Sequence, residues 1–179
     1  MNARPNTALL VIDVQNDVVA AAHQRDHVVA NIGHVVDQAR AAGTPVVWIQ
    51  HDDEGLPAET DGWQIVPELS PQADEPVIRK NFRSSFDDTA LEETLADLDV
   101  GRLIVTGSQT DFCVRWTLHG ALDRGYDTVL VADAHTTDAV SPADMPPGAQ
   151  IIAHTNSTWA SQATTRADTS VLPAAEIVF

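Results

Sequence analysis

Three uninterrupted apolar runs constrain this chain most: Thr7 to Asp13 (TALLVID), Arg102 to Gly107 (RLIVTG) and Asp127 to Ala132 (DTVLVA). None alternates polar with apolar, so each reads as a strand buried on both faces, the pattern of a parallel sheet covered by helices on either side. The segments between them fit. From His27 to Ala42, Val28, Val29, Ile32, Val35, Val36 and Ala39 fall on one stripe of a helix, and Gly43 is placed to stop it. Pro45 then leads into Val46 to Ile49, a second strand, so the unit is a right-handed parallel crossover. Later, Asp87 to Asp99 and Cys113 to Arg124 carry one-sided apolar stripes before strands or stops. The expectation is an α/β fold: a three-layer, Rossmann-like, doubly wound sheet, mostly parallel, of about six strands with helices on both faces. Ile151 to His154 is expected to add a strand, and Glu176 to Phe179 to dock at an edge.

One stretch departs from this rhythm. Asp52 to Pro76 holds four of the ten prolines and eight acids but no Lys or Arg. Within a single domain spanning 1–179, such an excursion is either a solvated loop or a lid over a pocket, with a short helical turn expected near Gly62 to Leu69. Its acidity is shared by the whole chain, which has 26 acidic and 10 basic side chains and a formal charge of −16. That balance disfavours binding to nucleic acid or to anionic membranes, and solubility is its expected use. The first apolar run is too short for a signal or membrane segment, and a single cysteine cannot close an internal disulfide, so a reduced, cytoplasmic setting is expected.

In open parallel sheets, ligands bind beyond the carboxyl ends of the strands. Three such ends carry chemistry. Asp13 closes the first run and precedes Gln15, Asn16 and Asp17. Lys80 closes the run that starts at Pro76, and it is the only lysine among nine arginines. Cys113, the only cysteine, follows the turn residues Ser108, Thr110 and Asp111 at the start of a helix, where N–H groups and the helix dipole favour a thiolate. The plainer alternatives are a small buried hydrophobe for Cys113 and chance retention for Lys80. As a set, Asp13 supplies a base, Lys80 a compact titratable cation and Cys113 a nucleophile.

These residues resemble the isochorismatase-like cysteine hydrolase family, which includes nicotinamidases, N-carbamoyl amino-acid amidases, ureidoacrylate hydrolases and isochorismatase itself. The matching segments are LLVIDVQNDV (Leu9 to Val18), IRKNFRSSFDDTAL (Ile78 to Leu91), GSQTDFCVRWTLHGALDRGYD (Gly107 to Asp127) and VADAHTT (Val131 to Thr137). The resemblance implies an Asp13, Lys80, Cys113 triad, a cis peptide bond at Ser108-Gln109, and an oxyanion hole made by the backbone N–H groups of Gln109 and Cys113. Gln109 stands where the family commonly has a small residue, often Ala. The implied reaction is hydrolysis of an amide, ureido or lactam C–N bond through a thioester. The alternatives are the vinyl ether hydrolysis of isochorismatase proper, which does not depend on the cysteine, and a non-catalytic binding protein on the same scaffold.

Nicotinamidases of the family carry an Asp-Trp-His type metal motif after the second strand. Here the chain reads Gln50, His51, Asp52, Asp53, Glu54, without the Trp or the second His, so no metal and no other cofactor is expected. His51 is instead a candidate pocket wall, and Gln15, Asn16 and Trp48 are candidate substrate contacts. His23 and His27 are expected to be solvated, and His135 with His154, Thr155 and Asn156 to cap turns at the same sheet edge. The resemblance also implies a homodimer or larger homo-oligomer, with Trp116 or Trp159 at the contact.

Overall fold

In the computed structural model, which describes residues 4–140 and 143–179, six strands form one sheet. They are β1 (Asn6–Ile12), β2 (Val46–His51), β3 (Val77–Lys80), β4 (Val100–Ser108), β5 (Asp127–Thr136) and β6 (Thr169–Leu172). Their order is β3-β2-β1-β4-β5-β6, and every pairing is parallel. The uninterrupted apolar runs have the expected cause: Ala8 through Ile12 are each 1% exposed or less. Alternate residues serve opposite layers. Leu9 and Val11 pack with the helix Arg25–Ala41, while Ala8, Leu10 and Ile12 pack with residues of Leu91–Asp97 and Arg115–Asp123.

In chain order the helices are α1 (Asn16–Val19), α2 (Arg25–Ala41), α3 (Leu91–Asp97), α4 (Arg115–Asp123) and α5 (Gly148–Ala160). The six apolar residues that mark the α2 stripe in the sequence are the ones it buries. Each such Val or Ile contributes about 1.5–3 kcal/mol relative to exposure. Gly43 ends the helix in a left-handed conformation, φ +69°, that side chains disfavour.

Three expectations need correction. Ile151 to His154 is not a strand but part of α5, whose buried residues Gly148, Thr155 and Trp159 share one helical face. The edge strand is Thr169–Leu172 rather than 176–179, because Pro173, which has no N–H to donate, follows it and leads into a 3-10 turn at Ala174–Glu176. Ile177 then tucks into the α2 layer. The acidic excursion is largely exposed, as expected of a solvated loop, but it is not helical at 62–69. It is strapped to the residues that follow β1: Val66 N–H bonds Val14 O, Asn16 N–H bonds Gln64 O and Asp17 N–H bonds Gly62 O, at 3.1, 2.9 and 3.0 Å. Those backbone bonds replace the ones a helix would make, and Val66 and Leu69 join the core.

The strand order reverses between β1 and β4, which makes their carboxyl ends the switch point where doubly wound sheets bind ligands. The two backbones touch there. A Cβ on Gly107 would lie 2.1 Å from Ile12 O, and its φ of +118° is open only to glycine.

Candidate active site

Each of the three strand-end residues is delivered by a different piece of the sheet. Asp13 follows β1 with φ +49°, a left-handed conformation rare outside glycine and held by its N–H bond to Ile49 O at 3.0 Å. Lys80 is the last residue of β3. Cys113 lies in a single π-helical turn, Thr110–Val114, inserted between β4 and α4 and closed by Val114 N–H on Gln109 O at 3.2 Å. The Ser108-Gln109 peptide bond just before this turn is cis.

The side chains converge. Lys80 Nζ is 2.6 Å from Asp13 Oδ2 and 3.2 Å from Cys113 Sγ. It also reaches Phe82 O at 3.2 Å and His51 Nδ1 at 3.3 Å. Both ion-pair partners are 1% exposed. Asp13 Oδ1 is buried with no hydrogen-bond partner among the described residues. Burial pushes the Asp13 carboxyl above its ordinary range, against the pull of the Lys80 ammonium. Burial, together with the Asp13 charge, pushes the Cys113 thiol up to about 12, and Lys80 opposes this only in part. The helix-terminal thiolate suggested by position in the sequence is therefore not the resting form. Desolvation and the Asp13 charge favour the protonated sulfur.

A cavity of about 470 Å³ opens over Cys113 and Asp13. His51 lines it and completes a chain of contacts. An ammonium can only donate, so His51 Nδ1 accepts from Lys80 and the ring proton sits on Nε2, 3.1 Å from Asp53 Oδ2. That bond, with the N–H groups of Leu56 and Gly55, holds the Asp53 carboxyl below its ordinary range. The wall also includes Phe112, and the Arg83 guanidinium lies 4.2 Å from its ring centroid. Asp17, Asp53 and Asp138 give the mouth three carboxylates against the one guanidinium.

Three expected substrate contacts lie elsewhere. Gln15 is fully buried, and its side chain bonds His51 O, Trp63 O and the His51 N–H, which ties β1, β2 and the acidic strap together. Asn16 donates to Asp61 O in the same strap. Trp48 is core, because its alternation in β2 points it into the α2 layer, where its indole N–H meets Glu75 at 2.7 Å. Conversely, sequence reasoning missed Phe112, beside Cys113, and Arg83, three residues after Lys80; their nearness to the two singletons was the available signal. His154 is exposed on α5 rather than at the sheet edge. Among the described residues, no group of three or more His, Cys, Asp or Glu side chains is arranged to hold a metal ion.

Residues 7–145 match the isochorismatase domain, most of the chain and all of the site residues described above. The chain belongs to the isochorismatase family. A streptothricin hydrolase from Streptomyces noursei is 39% identical over 140 residues, 75% of this chain but 56% of that protein, so the match spans little more than half of the relative. A ureidoacrylate amidohydrolase from Methylobacterium radiotolerans is 28% identical over 72% of this chain and 66% of its own length. Among solved structures, an isochorismatase from Pseudomonas putida superposes with a TM-score of 0.87 at 30% identity, covering 97% of this chain and 90% of that one.

Proposed function

We propose that this isochorismatase-family protein is a cysteine-dependent hydrolase of a non-peptide C–N bond, in an amide, ureido or lactam group of a small molecule. The observation that carries the proposal is that Asp13 and Cys113, which both line one cavity, lie within 3.2 Å of the buried Lys80 nitrogen. The name of the ureidoacrylate amidohydrolase relative supports the bond type, and that of the streptothricin hydrolase supports hydrolysis.

In this mechanism the substrate carbonyl carbon sits over Cys113 Sγ. Asp13, buried beside the thiol and with a raised proton affinity, takes the thiol proton as the C–S bond forms, so no standing thiolate is needed. Lys80 keeps the developing sulfur charge and the carboxylate in register. The backbone N–H groups of Gln109 and Cys113 are assigned to the oxyanion, a contribution of about 3–4 kcal/mol per donor in comparable sites. Asp13 returns the proton to the nitrogen as the C–N bond breaks, then takes one from the water that attacks the thioester. Acid leaves, and Sγ recovers its proton. The acidic mouth favours neutral or cationic amides over anionic ones. The exposed Trp116 supports assembly into a homodimer or larger oligomer as part of the same proposal.

The test is a panel of small amides, ureido compounds and lactams assayed for release of ammonia or amine. Cys113→Ala is expected to lower turnover by at least about 10³-fold, and mass spectrometry of the wild type to show an acyl adduct on Cys113. Undiminished turnover in the Ala variant, as vinyl ether chemistry predicts, would sink the thioester mechanism.

A further inference from the structure

His135, near the end of β5, takes no part in the site described above and lines no part of its cavity, yet it is 1% exposed and its ring is bonded at both nitrogens. Nδ1 lies 2.8 Å from Thr110 Oγ1, in the π-helical turn that carries Cys113. Nε2 lies 2.9 Å from Asn156 Oδ1, on α5.

The directions of these bonds follow from the far end of the chain. Asn156 Nδ2 donates to Ala132 O at 2.9 Å, which leaves Oδ1 facing the imidazole as an acceptor. Nε2 must therefore carry the proton, Nδ1 is a lone pair, and the Thr110 hydroxyl donates to it. Burial holds the imidazole well below its ordinary range, at about 4, so this tautomer persists through the neutral range. The neighbouring residues grip the same turn. Thr137 Oγ1 donates to Asp111 Oδ1 at 2.7 Å, and Ser108 Oγ to Thr136 O at 3.2 Å.

We propose that His135 is a positioning residue for the nucleophile: as a neutral Nε2–H tautomer locked by Asn156, it accepts the Thr110 hydroxyl and fixes the π-helical turn that presents Cys113. The assignment rests on Cys113 as the reacting group but not on any particular substrate. The tether connects β5 and α5 to the turn, so a displacement of either element reaches the sulfur directly.

Two substitutions separate this role from general packing. His135→Asn keeps an acceptor near the place of Nδ1 and loses the link to Asn156, whereas His135→Gln keeps a donor near the place of Nε2 and loses the acceptor for Thr110. Both delete the ring. Cys113 is the only cysteine, so its alkylation by iodoacetamide can be followed by intact mass as a function of pH with no substrate present. For His135→Gln the midpoint is expected to fall by about one unit or more toward the ordinary thiol range, as water reaches a loosened turn. His135→Asn is expected to stay near the wild type. Thr110→Val should behave like His135→Gln, and Thr110→Ser should restore the wild-type profile. On any amide that turns over, Thr110→Val is expected to lose about tenfold or more in kcat with KM within about twofold.

Equal midpoint shifts in the Asn and Gln variants would reduce His135 to a packing residue and overturn the proposal. So would a wild-type profile in Thr110→Val. If either His135 variant loses its fold by circular dichroism, the Thr110 pair decides the question alone. The hydrolase proposal fails on a different readout, the turnover of Cys113→Ala, so the two cannot be confused.

Discussion

Two largely buried carboxylates in this molecule each face a cation, and they have opposite fates. Glu75, at the end of the acidic strap, receives the Arg40 guanidinium on both oxygens at 2.8 and 2.9 Å, the Trp48 indole N–H at 2.7 Å and the Gln72 N–H at 2.8 Å. Burial alone would raise its pKa, but those donors outweigh it and bring the carboxyl down to about 2. Asp13 has one cation at 2.6 Å, an Oδ1 without a partner among the described residues, and a raised affinity for protons. The differences are the depth of burial, greater at Asp13, and the number of donors, greater at Glu75. A carboxylate whose lone pairs are filled fastens structure, and one left short of donors is available to take a proton.

Asp13→Asn should break the comparison most severely. Removing the base is expected to cost about 10²–10⁴-fold in kcat/KM, measured on whichever amide the panel identifies. Glu75→Gln should do the reverse, leaving kcat/KM within about twofold but lowering unfolding free energy in urea by about 2 kcal/mol, because Arg40 loses its anionic partner.

A pH titration of stability sharpens the same contrast. Glu75 has a folded pKa of about 2 against a reference of 4.5, so its stabilisation is complete above about pH 4.5 and disappears as pH falls through 2. Asp13 has the opposite sign: its folded pKa is raised, so its unfavourable contribution at neutral pH is relieved as pH falls through the raised value. Urea midpoints between pH 5 and 2 should therefore fall less steeply in Glu75→Gln than in the wild type. An identical slope would show that the four donors do not hold Glu75 ionised. The smallest effect is expected from Asn16→Ala, about 0.5 kcal/mol of stability with KM unchanged, since its amide serves the strap rather than the cavity.

Much of this was legible in the sequence wherever one element supplied its own signal. β1, β4 and β5 announced themselves as double-sided apolar runs, and Asp13 and Lys80 stood where apolar runs stop. What was missed depends on partners distant in sequence. Ile151 to His154 looked like a short strand because the first turn of α5 is apolar, and the helical spacing becomes visible only through Thr155 and Trp159. Gln15 looked like an ordinary turn former, yet it is anchored by atoms 36 and 48 residues away. The Thr110, His135 and Asn156 tether joins residues 25 and 21 apart, and no local pattern encodes such a pairing. The raised proton affinity of Cys113 was likewise out of reach, since it depends on burial while the sequence shows only the helix that follows.

The Lys80 ammonium has three hydrogens and faces four acceptors: a carboxylate, a sulfur, a backbone carbonyl and an imidazole nitrogen. One acceptor is always left over. A turn about the Cε–Nζ bond redistributes the three hydrogens among the four with no change of backbone. Under the proposed mechanism, the ammonium can turn like a compass needle toward whichever of carboxylate and sulfur carries the developing charge during acylation and release.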